Sequence, residues 1–235
     1  AIEEAIPGLP LDHVLDPAGV KYTCALETVL NLLAVAHGRC GLQEACAPLM
    51  QRLPEELHAA AEELCRRVED LSALGVDERH DTIQAAGLAG EPEMLTVVRR
   101  LIGCACQGLT LPLDDEWHVS AAEQARCAEK GARVPIGAVV AFLSWLPVRV
   151  AILTELGDGY VVRRDTGSEG APCVGALLVR RYHLVSLTPD PARLQLSMPL
   201  AINVQARPPH GLCGRHRGWM GVLRVDKRVP QDHVC

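Results

Sequence analysis

At 235 residues the chain holds one domain, or two half-domains that share a cleft. Apolar residues make up 49%, ample for a core, and a net charge of −6 with a pI near 5.8 excludes the broad basic surface of a dedicated nucleic-acid binder. The longest apolar run, residues 136–146, is too short to span a bilayer, so no membrane role is expected.

The chain opens Ala-Ile-Glu-Glu without Met, which reads as an engineered boundary or a processed product, a polyprotein being one parent. Ten cysteines in so large a chain, with no signal peptide at its start, point to thiols in a reducing cytoplasmic compartment rather than to a disulfide scaffold. Aromatics are scarce, with Ala, Val, Leu and Arg in their place, as in a GC-rich coding source of viral or bacterial type.

In chain order, the first strong element begins at Cys24. Thr23 is the N-cap candidate, and Ala25, Leu26, Val29, Leu30, Leu32 and Leu33 recur at the spacing of an amphipathic helix. A thiol in that first turn feels the positive end of the helix dipole, so its pKa is expected to fall and its thiolate to be favoured. Residues 42–53 form a short helical segment, and 54–74 a strongly amphipathic helix with Pro54 at its start. Helical runs over 91–106 and 121–130 follow.

From residue 134 the period changes to that of strands. The expected β runs are 138–146, 148–155, 159–164, 176–187, 194–204 and 218–225, punctuated by Gly- and Pro-containing turns. Helices first and strands second give an α+β fold, with a helical half over 1–133 and an antiparallel β half over 134–235, together one catalytic domain.

A helical half opened by a cysteine and followed by a β half resembles the plan of papain-like cysteine proteases. The resemblance reaches particular residues. Tyr22-Thr-Cys-Ala-Leu-Glu-Thr-Val-Leu-Asn-Leu-Leu33 is similar to the cysteine box of ubiquitin-specific proteases, Asn-Thr-Cys-Tyr-Leu-Asn-Ser-Val-Leu-Gln-x-Leu, with Thr23, Cys24, Leu26, Val29, Leu30 and Leu33 in register. The family's histidine box has its counterpart in the stretch from His210 to Val225, which contains Gly214-Arg-His-Arg-Gly-Trp and follows the apolar run 200–204.

The resemblance implies Cys24 as nucleophile, His216 as general base, and Asp232, 16 residues beyond His216, as the group that orients the imidazole. His210 and Asp226 are the alternatives. It further implies cysteine-type hydrolysis of a peptide or isopeptide bond. The partner would be a protein substrate: ubiquitin, a ubiquitin-like conjugate or a viral polyprotein.

The departures are specific. Gly19 stands where the family has its oxyanion Asn, the Gly-His-Tyr triplet is broken, and the family's paired zinc knuckles are missing, as in a reduced, divergent, viral-type relative. A relative that keeps the fold as a protein-interaction module without catalysis is the alternative function. Gly103-Cys-Ala-Cys106 is similar to an element of the rubella-type viral protease whose cysteines hold zinc. No cofactor is required by the chemistry, but Cys104 and Cys106 with Cys40 and Cys46 make a candidate structural zinc set. That viral family carries its histidine in a Gly-His-Phe-Val element, and the corresponding stretch here, Gly157-Asp-Gly-Tyr-Val-Val162, contains none.

His58, His80, His118 and His183 sit singly among charged or turn residues and read as surface or satisfied core histidines. The acidic stretch Asp114-Asp-Glu116 reads as an exposed loop, with recognition of an Arg-rich substrate tail as the functional option.

Overall fold

The first helix, α1 (Cys24–Cys40), is apolar on almost every side, and every side chain from Ala25 to Ala36 is buried. A helix of that composition is a core element rather than a surface one. The amphipathic pattern expected for it is therefore broader than one stripe, because α1 meets both the sheet and other helices. Each fully buried Leu along it contributes roughly 1.5–3 kcal/mol of transfer free energy.

This computed structural model describes residues 11, 13–17, 22–40, 51, 53–107, 117–156, 159–167, 171–180, 183–189 and 221–223. Around α1 pack α2 (His58–Ser72), α3 (Val76–Leu88) and α4 (Glu93–Gln107). A single 3-10 turn, Glu55–Leu57, leads from Pro54 into α2, which buries Ala61, Leu64, Val68 and Leu71 at helical spacing. The short α5 (Ala121–Arg126) starts at a reciprocal cap: the Glu123 backbone N–H donates to Ser120 Oγ, and the Ser120 N–H donates to the Glu123 carboxylate.

Two sequence expectations change here. The run 138–146, expected as a strand, falls largely in α6 (Ile136–Leu143), in which every side chain from Gly137 to Leu143 is buried. A short, wholly apolar run carries no period, and Pro135 immediately before it favours a helix start. Helix α3 was not foreseen as an element, since its buried residues, Arg79, Ile83 and Gly87, include only one large apolar side chain.

The sheet comprises β1 (His13–Leu15), β2 (Arg149–Leu156), β3 (Gly159–Asp165), β4 (Cys173–Arg180), β5 (His183–Thr188) and β6 (Gly221–Leu223), in the order β1-β5-β4-β2-β3-β6. The expected single run 176–187 is a pair of antiparallel strands, β4 and β5, with Arg180 opposite His183. The sheet is mixed. All neighbouring strands run antiparallel except β2 and β4, which are parallel. The α+β order, helices followed by a small sheet, is as expected, although β1 joins the sheet from the N-terminal side. The expected strand 194–204 lies outside the described residues, and of 218–225 only β6 is described. Among the described residues no helix is long and apolar enough to cross a membrane.

The cysteines are not uniformly reduced. Cys65 is held in a disulfide, whereas Cys24, Cys104, Cys106, Cys127 and Cys173 are free thiols.

Candidate active site

Cys24 is the first residue of α1, and the Thr23 carbonyl before it accepts from the N–H groups of Leu26 at 2.8 Å and Glu27 at 3.0 Å. Thr23 is thus the N-cap by main-chain position. Its hydroxyl donates to Glu27 Oε1 at 2.7 Å, which ties the cap to the buried carboxylate one turn on. Room for that carboxylate comes from Gly87 of α3, where a β-carbon would stand 2.2 Å from Glu27 Oε1. Tyr22, two residues before Cys24, has φ 64° and is 59% exposed. A bulky residue in the left-handed region is strained, by roughly 1–3 kcal/mol.

One face of α1 forms a polar seam with β5. Thr28 Oγ1 donates to the Leu184 carbonyl at 3.1 Å, and Asn31 Nδ2 donates to Ser186 Oγ at 2.9 Å. Cys24, Thr28 and Asn31 follow one another at i, i+4 and i+7, so the thiol continues this seam toward the start of β5. Arg79 of α3 closes it from behind, its Nε donating to Asn31 Oδ1 at 3.0 Å.

The Cys24 thiol does not behave as its helix position alone suggests. Burial pushes its pKa up, hydrogen bonds from the backbone at Leu184 and Ala25 pull it down, and the Glu27 carboxylate pushes it up again. The net direction is upward, which reverses the expected depression. Desolvation and a buried anion one turn away outweigh the first-turn dipole.

His183 opens β5, one residue before Leu184. Its Nε2 lies 2.6 Å from Asp16 Oδ1, and Arg180 Nη1 lies 3.9 Å from Asp16 Oδ2. In the sequence His183 stands as an isolated histidine, with nothing nearby to mark its carboxylate partner. The partners are 167 positions apart, and no local motif joins them. His183 falls inside the run expected as one strand, 176–187, so its place at the head of β5 appears only once that run is split into β4 and β5.

His210, His216, Asp226, Asp232 and Cys46 lie outside the described residues, as does the acidic stretch Asp114-Asp-Glu116. Cys40 ends α1, but its side chain is not described. Cys104 and Cys106 are both on α4, where residues two apart do not face each other. Cys104 is half-buried, with its thiol pushed up by burial and by Glu56. Cys106 is buried against Cys127, and the hydrogen bond between them, with burial, pushes the Cys127 thiol far up. Among the described residues no three His, Cys, Asp or Glu side chains gather as a metal site.

No family model matches this sequence, and no curated protein matches it. Among solved structures, the chain is similar to one from "The structure of h/ceOTUB1-ubiquitin aldehyde-UBC13~Ub", with 15% identity and a TM-score of 0.49, over 72% of this chain and 74% of that one.

Proposed function

We propose that this chain is a papain-like cysteine peptidase or isopeptidase with Cys24 as its nucleophile. The observation that carries this reading is the position of the thiol. It is part-exposed at the first residue of a helix whose next twelve residues, Ala25 to Ala36, are all buried, where that helix meets the head of β5.

The raised thiol pKa determines how such a site works. Cys24 rests as a thiol, so a histidine must take its proton as sulfur attacks the carbonyl carbon. Backbone N–H groups at the start of α1 face the developing oxyanion, in place of the side-chain amide that Gly19 lacks. The imidazolium returns its proton to the leaving amine, a thioester forms, and water activated by the same histidine releases the acid and the free thiol. His216 is the base and Asp232 its orienting partner on the strength of the cysteine- and histidine-box resemblance, with His210 and Asp226 as alternates. The substrate class is a peptide or isopeptide bond in a protein, with a ubiquitin-like tail favoured by the cysteine box.

A second assignment of the base is favoured by a specific contact. Asp16 holds Nε2 of His183 at 2.6 Å, and Leu184, the next residue, hydrogen-bonds the Cys24 thiol through its backbone. Nδ1 of His183 is then the nitrogen left to take the proton, with Asp16 fixing tautomer and ring.

The test is covalent labelling of the whole chain with a ubiquitin vinyl methyl ester, followed by mass mapping. A single adduct at Cys24 supports a ubiquitin-directed thiol hydrolase. Loss of that adduct in His216→Ala assigns the first base, and loss in His183→Ala the second. No adduct, with general alkylators labelling several cysteines alike, would leave the non-catalytic interaction module as the better reading.

A further inference from the structure

Three residues of α4, Arg99, Gly103 and Cys106, follow one another at i, i+4 and i+7 and so share one face. That face meets the chain just after α5. Arg99 Nη1 donates to the Cys127 carbonyl at 3.4 Å and to the Ala132 carbonyl at 2.7 Å. Arg99 is itself paired with Glu91, whose Oε2 accepts from the Gly131 N–H at 3.0 Å. Gly103 lets the two backbones close: a β-carbon there would stand 2.9 Å from the Ala128 β-carbon and 3.3 Å from its α-carbon.

The third residue of that face, Cys106, is fully buried against an equally buried Cys127, and the two thiols hydrogen-bond each other. Backbone contacts hold that sulfur pair in place. Arg99 grips the Cys127 carbonyl, and Gly103 receives Ala128 one residue further on. Cys104, two positions from Cys106, lies on a different face of α4 beside Glu56. The proposed hydrolysis uses neither Cys106 nor Cys127. A disulfide needs its sulfurs about 2 Å apart, and two thiols already in contact reach that by rotation of their side chains.

Access comes from the α5 side. Helix α5 buries none of its residues, so its opening sacrifices little apolar burial and belongs to the low-cost end of local unfolding. Cys127 follows it directly, and Cys106 is next to the last residue of α4, so the pair lies where two helices end. A small uncharged oxidant such as hydrogen peroxide reaches sulfur through such openings. The finished bond needs no space for a ligand. The chain already holds one oxidised cysteine, Cys65 of α2.

We propose that Cys106 and Cys127 are a reversible redox pair that closes to a disulfide on reaction with a hydroperoxide and staples α4 to the turn after α5. Peroxide takes two electrons from one thiol: its O–O bond breaks, an S–O bond forms as a sulfenic acid, and one water leaves. The second sulfur then attacks that sulfur and the S–O bond breaks. The second thiol's proton departs with the hydroxyl as another water, and the S–S bond is made. A dithiol reductant returns the two electrons and two protons. The closed loop of about 20 residues restricts the unfolded chain, so the oxidised form is the more stable.

The experiment is hydrogen peroxide treatment of the reduced full chain, followed by alkylation of the remaining thiols, non-reducing peptide mapping and Tm. The expected result is a peptide pair joined through Cys106 and Cys127, lighter by two hydrogens and separated again by dithiothreitol. Relative to Cys127→Ser treated alike, which cancels the contribution of Cys65, the Tm of the wild type should rise on the order of 5 °C. Should that variant fail to fold, Cys106→Ala is read instead, and the wild-type peptide map decides without either. The proposal is overturned if both cysteines are still alkylated once Cys24 and Cys104 have been oxidised, or if Cys106 passes to sulfinic acid with no cross-link. A zinc ion that holds these thiols in the protein as isolated, and shields them from peroxide, overturns it as well.

Discussion

Thr28 donates its hydroxyl to the Leu184 carbonyl at 3.1 Å, one turn below Cys24, and the Leu184 backbone also hydrogen-bonds the Cys24 thiol. Two successive turns of α1 thus grip one residue of β5. Thr28→Val keeps the shape but leaves a buried carbonyl without its donor, a loss of about 1–3 kcal/mol. Urea unfolding of the variant should show that loss, and alkylation of Cys24 should change in rate because β5 no longer sits at fixed distance from the thiol. An unchanged unfolding midpoint would mean that the grip contributes nothing.

That grip also separates what the sequence made legible from what it did not. The cysteine, its cap residue and the core face of α1 lie within a dozen consecutive positions, where helical period and a local box are readable. Neither Thr28 nor Asn31 announces a partner more than 150 positions away, yet each finds one on β5. The same distance hid Asp16 from His183. Helix α6 is illegible for a different reason: seven consecutive buried residues erase the contrast between a period of two and one of 3.6. Helix α3 was hidden because its largest buried residue is Arg79, whose burial depends on Asn31 of another helix.

Glu27 and Gly87 should behave as a matched pair. Gly87→Ala improves intrinsic helix propensity in α3 by up to about 1 kcal/mol. The added β-carbon would nevertheless fall 2.2 Å from a carboxylate that is fully buried and tied to Thr23, so the end of the Glu27 side chain has no free space to swing into. Overpacking of that kind costs about 1–3 kcal/mol, and the net effect should be destabilising. In a Glu27→Ala background the same change should become neutral or favourable. Additive effects of the two substitutions in a double-mutant cycle would show that they do not meet.

The Cys24 thiol is pushed above its ordinary range, chiefly by burial, so its alkylation should follow suit. Iodoacetamide reacts with the thiolate, and at pH 8 the folded protein should modify Cys24 more slowly than an unfolded control does. The rate should keep rising beyond the pH at which the control levels off. An acid-shifted midpoint would instead reveal a resting thiolate–imidazolium pair, and the general-base order of events proposed above would have to be replaced by attack of a preformed thiolate.

His80 makes stability fall in mild acid. Burial, with the positive charges of Arg79 and His13, lowers its pKa from 6.5 to about 4, against the opposing pull of Asp77 and Asp81. Below pH 6.5 the unfolded chain takes up a proton that the folded chain refuses until about pH 4, so the unfolded state gains stability throughout that window. Folding free energy should therefore decline as pH drops from 6.5 toward 4 and be at its fullest, as far as this group is concerned, above 6.5. Because the ring is only part-buried, solvent tempers the size of the step but not its sign. Urea unfolding across that range in wild type and His80→Gln isolates the contribution, with a flatter profile expected in the variant. Parallel profiles in wild type and variant would assign the acid sensitivity to other groups.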